Sequence, residues 1–367
     1  MRFNSNGKDE VTYDVIVIGS GISGGYSAME LCNKGYKTLM LERGRDMKHG
    51  EYPTANMDTW DFKNQNIVSA EEKAQHYFKQ NRLSWWVREE HQHLINKDSD
   101  YDYDEVSRFD WIRGHHVGGR SIMWGRRCYR WSDIDFEANA KEGIAIDWPI
   151  RYKDIAPWYD RAETFVGITG QAEGLPQLPD GKFLPPFPLN CAEQHMRESI
   201  NKKYPYRLLT PSRTANLSSY DPKVHLGTRG QCQSRNRCVR GCPYGGYFSS
   251  LSSTIPVAQE TGNLTIRPDS IVHEIIWDKE KGKAAGVRVK DRVSGEELEF
   301  YARVIFCNAS TIGTTAILLN SRSEAFPDGL GNSSGELGHN IMDHHYGMGA
   351  SADLPGFEDI YYKGRRP

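Results

Sequence analysis

A glycine-rich turn between an apolar strand and a helix is the feature that most constrains the fold of this chain. Residues 13–18 (Tyr-Asp-Val-Ile-Val-Ile) form an almost continuous apolar run, which is typical of a parallel strand buried on both faces. Three glycines follow within 19–24, and residues 25–34 then carry apolar side chains at helical spacing. A second apolar run occupies 37–41. The order strand, turn, helix, strand predicts a β–α–β unit that binds a dinucleotide.

Each glycine of Gly19-x-Gly21-x-x-Gly24 has a distinct predicted role. The first permits the tight turn, the second lets the backbone approach a pyrophosphate, and the third lets helix and strand pack closely. The helix N-terminus directs unpaired N–H groups and a positive dipole end at the phosphates. Glu42 ends the second run, 23 positions after Gly19, where its carboxylate is expected to accept from both ribose hydroxyls. The early position of the motif and the pair Glu42-Arg43 favour FAD over a nicotinamide dinucleotide.

The same Rossmann-like pattern returns late in the sequence, which predicts a discontinuous nucleotide-binding domain. Between the two parts, from Trp148 to about residue 187, the composition shifts to Trp, Tyr and Pro, and this predicts a separate lobe with a helix at 154–166. The later predicted strands are 264–267, 271–277, 285–289, 298–301 and 303–307, followed by a helix at 312–319. The predicted fold class is therefore α/β, a Rossmann-like domain with an inserted α+β lobe.

Three of the seven cysteines are clustered, in the pattern Cys232-x5-Cys238-x3-Cys242-Pro243, whereas the other four are scattered. A zinc site would lack paired knuckles and an obvious fourth ligand. A disulfide would leave an odd cysteine in a chain without a recognisable signal peptide. Three close thiolates, glycines on both sides and a proline after the last favour an iron–sulfur cluster, with metal-free cysteines and zinc as the alternatives. The absence of a nearby fourth cysteine favours a 3Fe–4S cluster, or a four-iron cluster with one non-cysteine ligand.

Composition excludes several classes of function. The formal net charge of −2 gives no electrostatic reason to expect binding to nucleic acid. No apolar run approaches the ~20 residues of a membrane-spanning helix. The first ten residues lack the apolar region of a secretory signal, so a cytoplasmic location is the default expectation.

Five later segments, taken with the glycine turn, resemble glucose–methanol–choline (GMC) oxidoreductases. The segments are 116–124 (His-Val-Gly-Gly-Arg-Ser-Ile-Met-Trp), 147–159, 272–275, 308–312 and 331–344. In that family the first segment is a second flavin loop at the pyrophosphate and isoalloxazine edge, and the valine of the third meets the adenine. The FAD-binding residues that the resemblance implies are Gly19, Gly21, Gly24, Glu42, Arg43, Gly118, Gly119, Ser121, Trp124, Val272, Ala309 and Ser310.

The cysteine spacing is similar to that of the iron–sulfur-bearing flavoprotein subunits of bacterial sugar dehydrogenases. Segments 174–181 and 363–367 look most like those of glucoside 3-dehydrogenases. The resemblance implies oxidation of a sugar CH–OH group, the 3-hydroxyl of a glucoside, to a ketone. It also implies electron exit from FAD through the cluster to a cytochrome c or another external acceptor. A small partner subunit is implied as well, through which the chain would reach the periplasmic face of the membrane as the alternative to the cytoplasm. Met123 stands where some relatives carry a histidine bound covalently to the flavin, so non-covalent FAD is expected.

The resemblance further divides the sequence into segments. Residues 11–48, 105–145 and 251–345 correspond to the FAD domain, 146–225 to the inserted substrate lobe, 226–250 to the cysteine segment, and 346–367 to the start of a further substrate domain.

The catalytic base is expected to be absent from this sequence. GMC enzymes take it from a C-terminal histidine pair, which is expected to lie beyond Pro367, the last residue of the sequence. The sequence is therefore expected to be a truncated or split form with its substrate lobe incomplete. His115, His116, His344 and His345 are interpreted as packing residues, and no catalytic residue is predicted. An inactive cofactor-binding fragment and a sugar oxidase of the same fold remain the alternative functions.

Overall fold

In the computed structural model, which describes residues 13–83, 86–101, 103–343 and 349–358, the chain divides into two compact units. The described part of the first unit comprises 13–124, 239–243 and 249–343, and that of the second comprises 125–238, 244–248 and 349–358.

Some of the sequence expectations lie outside the described residues. They are those on residues 11–12, 344–348 and 359–367, which include His344, His345 and Pro367. The expectation that a histidine pair follows Pro367 is therefore not tested by the structure and stays a prediction.

All the named strands belong to the first unit. They are β1 (Val15–Ile18), β2 (Thr38–Leu41), β3 (Leu264–Arg267), β4 (Ser270–Asp278), β5 (Lys283–Asp291), β6 (Glu297–Tyr301) and β7 (Val304–Cys307). Four of them form a parallel sheet in the order β3-β2-β1-β7, and the other three form an antiparallel sheet in the order β4-β5-β6. The predicted strand positions are confirmed to within two residues at each end.

The two central parallel strands are buried along their whole length. Successive side chains point to opposite faces, so Val15, Val17 and Met40 enter one apolar cluster, while Ile16 and Leu39 enter another. The second cluster also contains residues of the antiparallel sheet. Burial on both faces is the physical reason why these strands read as continuous apolar runs in the sequence.

The helices are short and distributed over both units. They are α1 (Ile22–Asn33), α2 (Ala70–His76), α3 (Asp133–Phe136), α4 (Ala138–Glu142), α5 (Tyr152–Val166), α6 (Cys191–Lys203), α7 (Thr254–Glu260) and α8 (Ser310–Asn320). In the first unit α1 packs so closely on the start of α7 that a Cβ on Gly25 would lie 2.4 Å from Thr254 Oγ1. No helix in the described part of the chain is long and apolar enough to cross a bilayer.

The second unit is built from α3 to α6 and long loops. Its described β pairing consists of isolated bridges, among them Thr169 with Thr214 and Asn216 with Tyr247. The predicted helix at 154–166 is confirmed and begins two residues earlier, where Asp154 Oδ2 accepts from the Arg151 backbone N–H at 2.8 Å. The buried Arg130 guanidinium donates to the Glu163 carboxylate on this helix, which fixes the helix against the loop before α3.

Candidate functional site

The first glycine turn leaves open space at one of its three glycines. Gly19 has a φ of +96°, and a Cβ there would lie 2.4 Å from the carbonyl oxygen of Asn308. A Cβ on Gly24 would lie 1.9 Å from the Gly19 carbonyl oxygen. By contrast, a Cβ on Gly21 would meet no described atom within 4 Å. Packing therefore requires the first and third glycines, whereas the second exposes bare backbone at the N-terminus of α1.

Glu42 is buried behind this turn and is held by three donors. Its Oε2 accepts from the Ser20 hydroxyl at 2.5 Å and the Ser20 N–H at 3.1 Å, and its Oε1 accepts from the Gly44 N–H at 2.9 Å. Burial raises the pKa of Glu42, and the donors from Ser20 and Gly44 oppose that rise. A carboxylate has about four acceptor positions. One position therefore remains for a ligand hydroxyl, where the sequence predicted contacts to two.

The second glycine loop is tied to the first by Ser20. The Gly118 N–H donates to Ser20 Oγ at 3.0 Å, and Gly118 itself has a φ of +91°. The preceding Val117 N–H donates to the Arg45 carbonyl at 3.0 Å, which extends the pairing beyond the end of β2. A Cβ on Gly119 would lie 3.4 Å from Gly21 Cα. The two loops thus bring Gly21 and Gly119, both predicted FAD residues, face to face.

A buried serine cluster, consisting of Ser20, Ser121 and Ser250, locks this arrangement. Ser121 Oγ lies 2.5 Å from the Gly118 carbonyl and 3.0 Å from Ser250 Oγ, and Ser250 Oγ donates to the Ser20 carbonyl at 2.8 Å. Each of the three residues is no more than 1% exposed. Ser121, predicted to face the cofactor, therefore acts as a structural link between the loops. Sequence reasoning missed Ser20 and Ser250, although the run of four serines within 249–253 was a visible signal.

The remaining predicted FAD residues lie at several distances from this centre. Ala309 Cα would be 3.3 Å from a Cβ on Gly19, and Ser310, with a φ of +66°, begins α8 directly after it. Val272 is buried in β4. The first residue of that strand, Ser270, donates its backbone N–H to the Glu42 carbonyl at 2.8 Å. Of the two other predicted residues, Arg43 lies over the Tyr101 ring, and Trp124 is half-buried.

Two adjacent histidines precede the second loop and are held neutral. Burial lowers the pKa of His115 to about 3, with Arg43 and Arg113 adding repulsion, and it lowers the pKa of His116 to about 4. His116 is 1% exposed, and its Nδ1 lies 3.2 Å from the Val117 carbonyl. Neither imidazole is therefore poised to exchange a proton near neutral pH, as expected of packing residues.

The clustered cysteines are thiols rather than disulfides and are partly exposed. Cys232 and Cys238 belong to the second unit, where their sulfurs lie 3.9 and 4.0 Å from Asn216 Nδ2. Cys242 belongs to the first unit, where the neighbouring Gly241 backbone packs on the Tyr52 ring. Across the described residues, no set of three or more Cys, His, Asp or Glu side chains is gathered as a metal site. The iron–sulfur cluster stays a prediction.

The geometry of the glycine loops fits a dinucleotide. The open backbone at Gly21 and the N-terminus of α1 suit a pyrophosphate, and the remaining acceptor position of Glu42 suits a ribose hydroxyl. A Cβ at position 21 would occupy the space that the phosphates require. The described residues thus supply a cradle for FAD on the chain's own backbone.

The chain is similar to several curated oxidoreductases. Among curated relatives, a 2-methyl-1,2-propanediol dehydrogenase of Mycolicibacterium austroafricanum is 26% identical over 90% of this chain and 55% of its own length. The fructose dehydrogenase large subunit of Gluconobacter japonicus is 26% identical over 94% and 60%. The paromamine 6'-oxidase of Streptomyces fradiae is 24% identical over 91% and 54%. The chain spans little more than half the length of these relatives.

A solved structure shares the fold of this chain, and a family model covers most of its length. The crystal structure of pyridoxine 4-oxidase from Mesorbium loti matches with a TM-score of 0.50 at 15% identity, over 84% of this chain and 52% of that one, and shows a shared fold. The family model for GMC oxidoreductases matches residues 13–346, which is most of the chain. The chain belongs to the GMC oxidoreductase family.

Proposed function

We propose that this chain is the FAD-binding part of a dehydrogenase that oxidises a CH–OH group of a sugar. The observation that carries the proposal is the bare backbone of Gly21 at the start of α1, facing Gly119 and backed by the buried Ser20–Glu42 pair. Bound FAD supplies the two-electron acceptor for the carbon that is oxidised. The FAD is non-covalent, because Met123, which is fully buried, offers no nucleophilic nitrogen to the flavin.

The chain's own residues bind and orient the cofactor. The N-terminal N–H groups of α1 point at the pyrophosphate, and Glu42 accepts from one ribose hydroxyl while Ser20 and Gly44 hold its carboxylate in place. The serine cluster keeps both loops in register. We assign no catalytic base within the described residues, since the lowered pKa values of His115 and His116, about 3 and about 4, make both imidazoles weak bases.

We further propose the 3-hydroxyl of a glucoside as the substrate position. The relatives support an alcohol or sugar substrate, since one is named a diol dehydrogenase and another a fructose dehydrogenase. Segment 174–181, which resembles the corresponding segment of glucoside 3-dehydrogenases, forms a closed loop in the second unit. Asp180 accepts from the Glu173 and Gly174 N–H groups at 2.9 and 2.8 Å and pairs with Arg213. This loop is rigid, as a specificity element requires.

Cys232, Cys238 and Cys242 would hold an iron–sulfur cluster, of 3Fe–4S type, which would supply a path for electrons from FAD to an acceptor. The support is the spacing of the cysteines, their thiol state and partial exposure, and the amide directed at two of them. The acceptor is an external one, such as a cytochrome c. A small partner subunit is also proposed, since one relative is named the large subunit of a fructose dehydrogenase.

The test begins with the chain purified without air, its absorption spectrum, and assays for iron and acid-labile sulfide. Flavin bands together with iron and sulfide at about three to four per chain support both cofactors. Cys232→Ser is expected to lose the iron, whereas Cys191→Ser, at an unclustered cysteine, is the matched control and is expected to keep it. A wild-type chain that binds no flavin would refute the FAD assignment.

Turnover is tested separately with glucosides and an artificial dye acceptor. Dye reduction without peroxide supports a dehydrogenase, and oxygen-dependent peroxide formation favours a sugar oxidase, as two of the relatives are named oxidases. Bound flavin that no sugar reduces identifies a cofactor-binding fragment without catalytic activity. Comparing 3-deoxyglucosides with the parent glucosides then tests the position of oxidation.

A further inference from the structure

A polar cavity of about 350 Å³ opens between residues 59 and 88 of the first unit. Pockets that hold small molecules usually measure about 300–1,000 Å³, so the space is sufficient for a small ligand. Two of the seven lining residues are apolar, and the others carry a cation, an amide or a hydroxyl: Lys73, Arg88, Gln65, Asn66 and Thr59. None of these described lining residues is acidic. The wall of the cavity thus offers hydrogen-bond donors and positive charge.

The two cations of the cavity are only weakly neutralised by the protein. Among the described residues, no carboxylate pairs with the ammonium group of Lys73, which lies on α2. Arg88 has one ion pair, in which its Nη1 lies 3.9 Å from Glu90 Oε1. Glu90 is closer to another partner, because its Oε2 lies 2.7 Å from Arg240 Nε. Lys73 and Arg88 can therefore pair with an anion that enters the cavity.

Two carboxylates adjacent in sequence to these cations interact with other groups. Glu72 Oε1 accepts from Gln92 Nε2 at 2.8 Å. Burial raises the pKa of Glu89, and the charge of Lys63 opposes that rise. Neither carboxylate belongs to the lining of the cavity, so the charge in its wall is that of the two cations.

One side of the cavity is a turn with an uncommon backbone. Asn64, Gln65 and Asn66 have φ values of +53°, +53° and +70°, a left-handed conformation that non-glycine residues adopt rarely. The Ile67 N–H donates to the Asn64 carbonyl at 3.0 Å, and the Glu90 N–H donates to Asn66 Oδ1 at 3.0 Å. Since Oδ1 is occupied in this way, the NH₂ group of Asn66 is the end available to a ligand. Backbone strain of this kind is often found at ligand sites.

We propose that this cavity binds a small molecule that carries an oxyanion, either a phosphate or a carboxylate. Lys73 and Arg88 pair with its negative charge, and the amides of Gln65 and Asn66 donate to its oxygens. The cavity is larger than a bare oxyanion requires, which favours a ligand with a hydroxylated body that the amides and Thr59 can also bind. The site shares no residue with the glycine loops and does not rest on the proposed function.

Binding is tested by equilibrium dialysis of the whole chain against labelled glycerol 3-phosphate, glycerate and inorganic phosphate. Neutral glycerol is the probe that lacks the charge. Excess FAD is present, so that the N-terminus of α1 does not capture the probes. We expect at least one anion to bind with a dissociation constant of about 1 mM or lower, and glycerol to bind at least about tenfold more weakly.

The order of affinities identifies the source of the oxyanion. Tightest binding of glycerol 3-phosphate supports a phosphate ester, and tightest binding of glycerate supports a carboxylate. Equal binding of inorganic phosphate supports recognition of the anion alone. No binding of any of the three at about 10 mM would overturn the proposal.

Charge-removing variants locate the site. Lys73→Gln and Arg88→Gln should each weaken anion binding at least about tenfold and leave the midpoint of urea denaturation near that of wild type. Lys290→Gln and Arg322→Gln are the matched controls, at exposed positions elsewhere in the first unit, and should bind as wild type does. Equal affinity in all four variants would place the anion elsewhere and refute the cavity as its site. A chain that holds no flavin would refute the FAD assignment, and the comparison of variants would still test the cavity.

Gln65→Gly separates a turn that binds the ligand from one that is merely structural. Glycine adopts a left-handed φ without strain, so the midpoint of urea denaturation should rise. Anion affinity should nevertheless fall about threefold, because an amide donor is lost from the wall. A higher midpoint with unchanged affinity would remove the turn from the proposed site.

Discussion

The Ser20 hydroxyl donates to Glu42 Oε2 at 2.5 Å while accepting the Gly118 N–H at 3.0 Å, so one small side chain connects three parts of the site. Ser20 occupies the position between Gly19 and Gly21, where the glycine motif specifies no residue type, and its side chain is completely buried. Through it, the end of β2 and the second glycine loop are held against the first turn. The cradle for the cofactor is therefore pre-organised by the protein before any ligand binds.

Replacing Ser20 by alanine is expected to destabilise the chain and weaken FAD binding. The change leaves the Gly118 N–H buried without an acceptor and removes the strongest donor to Glu42. An unsatisfied buried group costs about 1–3 kcal/mol. Urea denaturation should report that loss in the cofactor-free chain, and flavin retained after gel filtration should fall.

The matched control is Ser333→Ala, at an exposed serine of the same unit. It is expected to change stability by no more than about 0.5 kcal/mol. Equal stability of the Ser20 and Ser333 variants would show that the bridge contributes nothing measurable.

Two glycines of the first turn are expected to respond in opposite ways to alanine. Gly21→Ala adds a Cβ in open space, so folding stability should stay within about 1 kcal/mol of wild type, while FAD affinity falls at least about tenfold. Gly24→Ala forces a Cβ against the Gly19 carbonyl and should destabilise the apo chain by about 1–3 kcal/mol or more. Thermal denaturation of the apo chain and flavin titration separate the two effects.

Gly125→Ala is the control for the glycine pair, because its added Cβ also meets no described atom within 4 Å. It should alter neither stability nor flavin affinity. If Gly21→Ala bound FAD as tightly as the control does, the open backbone would not be the pyrophosphate site.

The sequence was sufficient to predict the strands that are completely buried. β1 and β2 carry continuous apolar runs because both faces of the sheet are covered, and that pattern predicts a parallel strand without further information. The packing role of Gly24 was equally predictable, since a Cβ there would meet the Gly19 carbonyl only five positions away, whereas the close approach of Gly19 to Asn308 depends on the tertiary fold. The predicted strands on either side of the nucleotide turn are confirmed for these local reasons, while the helix between them begins at Ile22, three residues before its predicted start.

The contacts that complete the site could not be predicted in the same way. Ser250 donates to the Ser20 carbonyl across 230 positions of sequence, and the orientation of Asn216 depends on pairing with a distant segment. Small polar residues carry no periodic signal, so their partners emerge only from the tertiary fold. The same holds for the described residues between 49 and 104, which outside α2 have an irregular backbone held by buried polar contacts.

One of those contacts is expected to dominate the stability of this irregular segment. Asp98 is fully buried, pairs with the Arg113 guanidinium at 2.6 Å, and accepts from the Lys79 and Gln80 N–H groups at 2.8 and 2.9 Å. Asp98→Asn leaves a buried cation without its partner, which costs about 3–5 kcal/mol. Urea denaturation of this variant should show a loss of that size. Asp46→Asn, at an exposed pair with Lys48, should lose less than about 1 kcal/mol.

The stability of the chain is expected to fall with acid because of the buried histidines beside the second loop. The pKa of His116 is lowered from an ordinary value of 6.5 to about 4, so its imidazole stays neutral in the folded chain where the unfolded chain binds a proton. Between about pH 6.5 and pH 4 the unfolded state therefore takes up more protons, and the free energy of unfolding decreases as the pH falls. Above about pH 6.5 this contribution is fully present.

His116→Gln should reduce the slope of the free energy of unfolding against pH by up to about 1.4 kcal/mol per pH unit, measured by urea denaturation from about pH 4.5 to 7.5. The exposed His339→Gln is the control and should keep the wild-type slope, and an unchanged slope in His116→Gln would place the acid sensitivity elsewhere.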